Sequence, residues 1–383
     1  MKPAVDGQPQ AGARFQWLMA IAAVVLSSGG VLDNWAHFHG KVDHSFFTPW
    51  HAVLYGAMAS FGIFLGMVAL HNVRKGYGWR RSLPPGYLQS LAGVALFVLA
   101  GLLDLGWHTM FGIETSTAAF VSPTHLLLCA GGLLAGTGPL RAAWLTLVPS
   151  ASRGWLTLGP MLLSAACALV AIGIFTQFAS PMNDTFVGSS DVHQIVVEGV
   201  NLVNVQSFGV AEVIVQVVLL MSMVLLLVRS WTLPFGALTL LIGLPSITQL
   251  LMVNNYWLIV PVIATGLCAD TLMLRLRLVA GGNPLYVFAA VIAGLYEASI
   301  LLTTALTGRL GLSVNLIGGS VLYAAATGLF LAFLLDWPLR RQVTLLEVER
   351  AAANDKGREE TSRPVTYLPL RADLRDDLRA EGL

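Results

Sequence analysis

Charged side chains are scarce in this sequence: they make up 11% of its 383 residues, against about 25% in an average soluble domain. With 56% of residues hydrophobic, water cannot be the main solvent. Cysteine is nearly absent as well. Cys129, Cys167 and Cys268 lie within apolar runs and share no paired spacing, which argues against a disulfide framework or a thiolate zinc site and leaves them as core filler. An excess of one sign of charge is also lacking, and a net charge of +1 argues against nucleic acid, whose binding needs a concentrated basic surface.

What the sequence has instead is long apolar runs. They are uninterrupted rather than striped, the pattern of helices long enough to cross a hydrocarbon core; strands of a membrane barrel would alternate. The runs predict an all-α, polytopic transmembrane helix bundle with the lipid bilayer as its partner. About ten spans are expected, near 15–36, 49–72, 87–108, 123–145, 155–178, 208–229, 232–252, 256–276, 284–306 and 315–337. The one long internal connection is 179–207.

Basic residues set the orientation, because they accumulate on cytoplasmic loops. With the N-terminus inside, inner loops hold Arg74, Lys75, Arg80, Arg81, Arg141, Arg153, Arg229, Arg275 and Arg277, and outer loops hold only Lys41 and Arg309. Both termini are therefore expected in the cytoplasm, with 1–14 as a short N-terminal segment. Lys2 and Arg14 ahead of an apolar run ending in Ser27, Ser28, Gly29 and Gly30 also fit a signal peptide. From Asp336 onward the chain turns polar, and Pro364 and Pro369 interrupt any helix. Residues 338–383 are expected to form a charged cytoplasmic tail, a helical extension followed by disorder.

Histidine is distributed unevenly. Of eight, all but His71 fall on the expected outer side. Aligning the first hairpin with the second exposes an internal repeat. Asp33-Asn-Trp-Ala-His37 is followed by Thr48-Pro49-Trp50-His51, and Asp104-Leu-Gly-Trp-His108 by Ser122-Pro123-Thr124-His125. Asp and His four apart share one helix face, about 6 Å of rise from each other. Thr48 and Ser122 are natural N-caps, with Pro49 and Pro123 at the first helical position, where a missing N–H costs nothing. His51 and His125 then sit in the first turn of the returning helix. The second copy ends an unmistakable span, which favours keeping the first as a span too rather than a cleaved leader.

Each hairpin thus offers a carboxylate and two imidazoles, a common set of ligands for a transition metal. The expected site is Asp33, His37, His51, Asp104, His108 and His125. Its nitrogen and oxygen donors suit copper, zinc or iron. A hydrogen-bonded structural cluster or a proton relay would use the same residues. Haem is less favoured, since axial histidines have no need of the Asp. Glu114, His39 and His44 are further candidates, with Asp43 beside them, and His193 with Asp191 and Glu198 lies in a loop that could cover the site.

Several polar residues fall within spans: Glu212, Gln216, Gln249, Asp270 and Glu297. Intramembrane charge is costly and points to function by default. Glu212 and Glu297 are candidates for an inward path; Asp270 is expected to pair with Arg275 and Arg277 at the membrane edge.

The spacing of Asp33, His37 and His51 resembles the Asp, His, His copper-site motif in the membrane subunit of copper membrane monooxygenases. Asp104, His108 and His125 match it with a longer loop. The resemblance covers about twenty residues per copy and implies copper and oxygen chemistry. The Phe111-Gly-Ile-Glu114 and Ser122-Pro-Thr-His-Leu126 phrases resemble those of multi-spanning bacterial membrane proteins. With the charge pattern, these point to a bacterial inner membrane.

Three readings follow: a membrane metalloprotein with an outward-facing site, and in particular a metal-dependent oxidoreductase acting on a small molecule; a metal-ion or small-solute transporter or metal-handling protein; or a structural or assembly subunit. In each, the two hairpins of 15–147 are expected to face each other as a pseudo-twofold unit. The six spans of 148–337 then surround them as a scaffold.

Overall fold

A computed structural model describes residues 7–41, 47–112, 118–147, 154–182, 202–276, 278, 282–308 and 313–356, with the side chains of 118, 202–206 and 337–356 outside the description. Among the described residues the only secondary structure is helical. In chain order the α-helices are α1 (Ala13–Phe38), α2 (Pro49–Arg74), α3 (Leu88–Phe111), α4 (Ala118–Val121), α5 (Pro123–Gly136), α6 (Gly138–Thr146), α7 (Trp155–Phe175), α8 (Leu202–Ser230), α9 (Ala237–Met252), α10 (Ile259–Leu276), α11 (Asn283–Leu306) and α12 (Val314–Lys356). The chain is an all-α polytopic bundle. Among the described residues, eight helices are long and apolar enough to cross a membrane: α1, α2, α3, α7, α8, α10, α11 and α12.

The two remaining apolar segments differ from straight spans. The run expected at 123–145 is broken into α5 and α6, bent by 43°. Pro139 cannot donate to the carbonyl four residues back, and its ring crowds that turn. Carbonyls freed at the break are satisfied by side chains, as an apolar surrounding demands. Ser164 donates to Gly136 O at 2.8 Å and Arg141 to Leu134 O at 2.8 Å. The seventh segment, α9, has 16 residues. It begins after Gly236 in the left-handed region, and Pro245 lies inside it.

Asp270 explains how α9 can start inside the protein. Instead of an ion pair with Arg275, its fully buried carboxylate accepts from Leu238 N and Thr239 N at 3.0 Å each and from Thr239 Oγ1 at 2.6 Å. These are first-turn donors that lack a partner within the helix. Arg277 lies outside the described residues.

Two apolar clusters form the core. The first gathers Met19, Met58, Phe61, Leu65, Tyr87, Phe97, Leu128 and Ala135 from α1, α2, α3 and α5, with Tyr87 just ahead of α3. The second, larger cluster runs through α7 to α12 around Leu162, Val224, Trp231, Leu241, Phe288 and Tyr296. Small residues let helices approach closely, the usual route to tight packing in membranes. A Cβ on Gly93 of α3 would lie 2.5 Å from Ala135 N of α5, and one on Gly131 of α5 would lie 2.7 Å from Phe97 N. In the first hairpin, a Cβ on Gly29 of α1 would come within 3.1 Å of Leu54 Cα of α2. These approaches fix the depth at which the Asp and His side chains meet.

The chain divides into two compact units, Met1–Leu335 and Asp336–Leu383. Of the second, α12 carries the described part as helix to Lys356; the expected disordered stretch beyond it lies outside the described residues.

Candidate metal centre

Both returning helices start as their sequences dictate. Thr48 Oγ1 accepts from His51 N at 3.1 Å and Ser122 Oγ from His125 N at 3.5 Å, with proline at the first helical position in each. The cap fixes the first turn, and with it the direction of each imidazole.

The six expected ligands fall into two groups of three, and each could hold a metal ion. In each group one ligand atom per residue lies within 4.8 Å of the others. In the second group, His108 Nε2 is 3.4 Å from one Asp104 oxygen and His125 Nε2 is 3.2 Å from the other. In the first, His51 Nε2 is 3.5 Å and His37 Nε2 4.0 Å from the Asp33 oxygens. Donors bound at about 2.0–2.1 Å in a tetrahedral site are about 3.3–3.4 Å apart. The second group is close to that spacing, and the first is looser.

The far side of each ring in the second group identifies its tautomer. His125 Nδ1 is 2.5 Å from Ala119 O, and His108 Nδ1 is 3.2 Å from Gly112 O. A carbonyl can only accept, so each Nδ1 carries the proton. Gly112 turns its carbonyl back to His108 in a positive-φ conformation, φ 84°, that a residue with a Cβ rarely adopts. With Nδ1 protonated, a neutral imidazole aims the Nε2 lone pair at the carboxylate. Lone pair facing lone pair at 3.2–3.4 Å repels unless a cation, a proton or a metal, lies between. A backbone carbonyl on the distal nitrogen is also the usual support of a metal-binding histidine.

Asp104 is held from a third side. Thr124 Oγ1 donates to its Oδ1 at 2.6 Å and lies 3.0 Å from Ser122 Oγ. The corresponding place in the first hairpin holds Trp50, whose indole donates to Lys41 O at 3.0 Å instead. Asp33 Oδ1 is accordingly buried with no hydrogen-bond partner among the described residues. Side-chain exposure follows the same order, 3% for Asp104 and 15% for Asp33.

All six side chains line one cavity of about 470 Å³. Its wall also takes in Tyr55 and Cys129, each one turn beyond the histidine of its own helix, and Cys167–Phe175 positions of α7. Thus α7, expected to act as surrounding scaffold, forms part of the site. Next to Asp33, Asn34 exchanges two amide hydrogen bonds with Gln177 at 3.2 and 3.1 Å.

The other candidates lie apart. His39 stacks on Trp35, donates from Nδ1 to Trp35 O at 2.8 Å and accepts from Asn254 at 3.0 Å, so both nitrogens are engaged away from the cavity. Glu212 and Glu297 are buried in α8 and α11 and do not line the cavity. Glu297 Oε1 has no hydrogen-bond partner among the described residues. Asp43, His44, Glu114, Asp191, His193 and Glu198 lie outside the described residues.

Sequence reasoning missed Thr124, Tyr55 and the Asn34–Gln177 pair. Thr124 and Asn34 each adjoin a chosen ligand, and Tyr55 lies one turn from His51; only Gln177 had no local signal. Compared with family models, curated proteins and solved structures, the chain matches none. Fold and site define its class: a polytopic membrane helix bundle with two Asp/His groups that could hold metal ions.

Proposed function

We propose that this protein is a membrane metalloprotein that binds one transition-metal ion at Asp33, His37 and His51 and another at Asp104, His108 and His125, and uses them on a small molecule as an oxidoreductase. The observation that carries the reading is the second group, where two imidazoles locked as Nδ1–H tautomers aim Nε2 at one carboxylate. One carboxylate and two imidazoles suit copper, zinc or iron, and the resemblance to the copper membrane monooxygenase motif favours copper. Three protein ligands leave a coordination position open, and an ion bound there supplies Lewis-acid or redox chemistry.

The chain's own contribution is placement. The caps at Thr48 and Ser122 set the returning histidines, Thr124 orients Asp104, and the apolar wall of the cavity limits water. The likeness of the two hairpins extends from spacing to caps and ligand sets, in keeping with an internal repeat. The charge pattern would put this end of the bundle outside a bacterial inner membrane.

Metal analysis of purified protein tests the reading, wild type against His51→Ala plus His125→Ala. Bound metal in the wild type and its loss from the double variant is the expected result. Equal content in both, or none in either, would leave an ion-paired structural cluster with a proton as its cation.

A further inference from the structure

The cavity extends far beyond what two metal ions need. On α1 its wall runs from Asp33 down to Ala23, and on α5 from His125 to Thr137, about 15 and 18 Å of helix at ~1.5 Å per residue. Away from the Asp/His end the wall is mostly apolar, with Leu26, Leu128, Leu133, Ala168 and Ile174 among its residues. Glycines open it: a Cβ on Gly132 would meet nothing within 4 Å, and one on Gly136 only Ala23 Cβ at 3.8 Å. The volume, about 470 Å³, lies within the roughly 300–1,000 Å³ that accommodate one small ligand.

The charge at the polar end follows from the metal reading, on which this part of the inference rests. A divalent ion among one carboxylate and two neutral imidazoles leaves each group with one net positive charge. No Lys or Arg lies in the described lining, so an anionic oxygen head in this cavity would find its counter-charge at the metal groups alone. An elongated apolar cavity with cationic, ligand-accepting groups at one end fits an amphiphile lying lengthwise. We infer that the cavity binds a single-chain carboxylate amphiphile, its apolar chain along α1, α5 and α7 and its head at the two Asp/His groups.

Photolabelling tests this with the full chain, metal-loaded and reconstituted in nanodiscs. The probe is hexadecanoic acid bearing a diazirine at mid-chain, with adducts mapped by mass spectrometry. Adducts are expected on 128–137 and 167–175, and Gly132→Leu, which fills open space, should lower them at least fivefold with metal content and melting temperature unchanged. Adducts confined to outward-facing Leu99, Leu102 and Leu126, or cavity adducts indifferent to Gly132→Leu, would overturn the inference. Protein that holds metal but labels only at those outer positions refutes the amphiphile and leaves the metal reading standing. Protein that labels in the cavity but never holds metal refutes the metal reading, and the placement of the head with it.

Discussion

Replacing Thr124 by valine removes one hydroxyl and keeps the shape of a buried side chain. That hydroxyl donates to Asp104 Oδ1 at 2.6 Å, and His125 Nε2 approaches the same oxygen to 3.2 Å. Loss of a hydrogen bond to a charged group costs about 1.5–3 kcal/mol, and partners that orient metal ligands are worth about 10–100-fold in affinity. The two scales agree, since ~1.4 kcal/mol is a factor of ten. The first group already lacks this support, because Trp50 stands where Thr124 would be and Asp33 Oδ1 has no hydrogen bond among the described residues. Titration against a chromophoric chelator should therefore show two classes of site in the wild type, the tighter at Asp104. Thr124→Val should weaken that class by about 10–100-fold without moving the other, and Thr124→Ser should restore most of it. An affinity unchanged within about twofold, or equal weakening of both classes, would refute the argument that Thr124 positions Asp104.

Other residues give independent tests. Asp270→Ala removes the acceptor for three donors at the start of α9; it should cost at least about 3 kcal/mol, read as a lowered melting temperature with metal content unchanged. Gly93→Leu would force a Cβ to 2.5 Å from Ala135 N, so α3 and α5 must separate; the variant should lose folded yield and the Asp104 site together. Gly132→Ala, with open space around its Cβ, should be tolerated on both measures.

The helical, membrane-spanning character was legible because apolar length is a local property: among the described residues, eight of the ten expected segments fall on helices long and apolar enough to cross a membrane, while 123–145 is bent and 232–252 holds a helix of only 16 residues. The bend within 123–145 was signalled by Gly138-Pro139, but its satisfaction by Ser164 of α7 depends on a residue brought there only by folding. The two Asp/His groups were legible for a related reason. An Asp–His turn followed by a capped Pro-x-His is written in consecutive residues, and the caps at Thr48 and Ser122 lie where the spacing puts them. What no spacing could provide is the tertiary part. Asp270 reaches across to α9 rather than to its neighbour Arg275, His39 is drawn to Asn254, and α7 closes a cavity whose other walls come from the hairpins. The inequality of the two groups was written in sequence as Trp50 against Thr124, but it gains meaning only when Thr124 Oγ1 is seen against Asp104.

X-ray absorption spectroscopy of the metal-bound protein tests the central claim most directly. A first shell of nitrogen and oxygen alone at about 2.0–2.2 Å, with imidazole scattering from two histidines per ion, is the predicted result. Sulfur at about 2.3 Å, which would place the ion on Cys129 or Cys167 of the same cavity, or a spectrum unchanged when the six ligands are replaced, would contradict it.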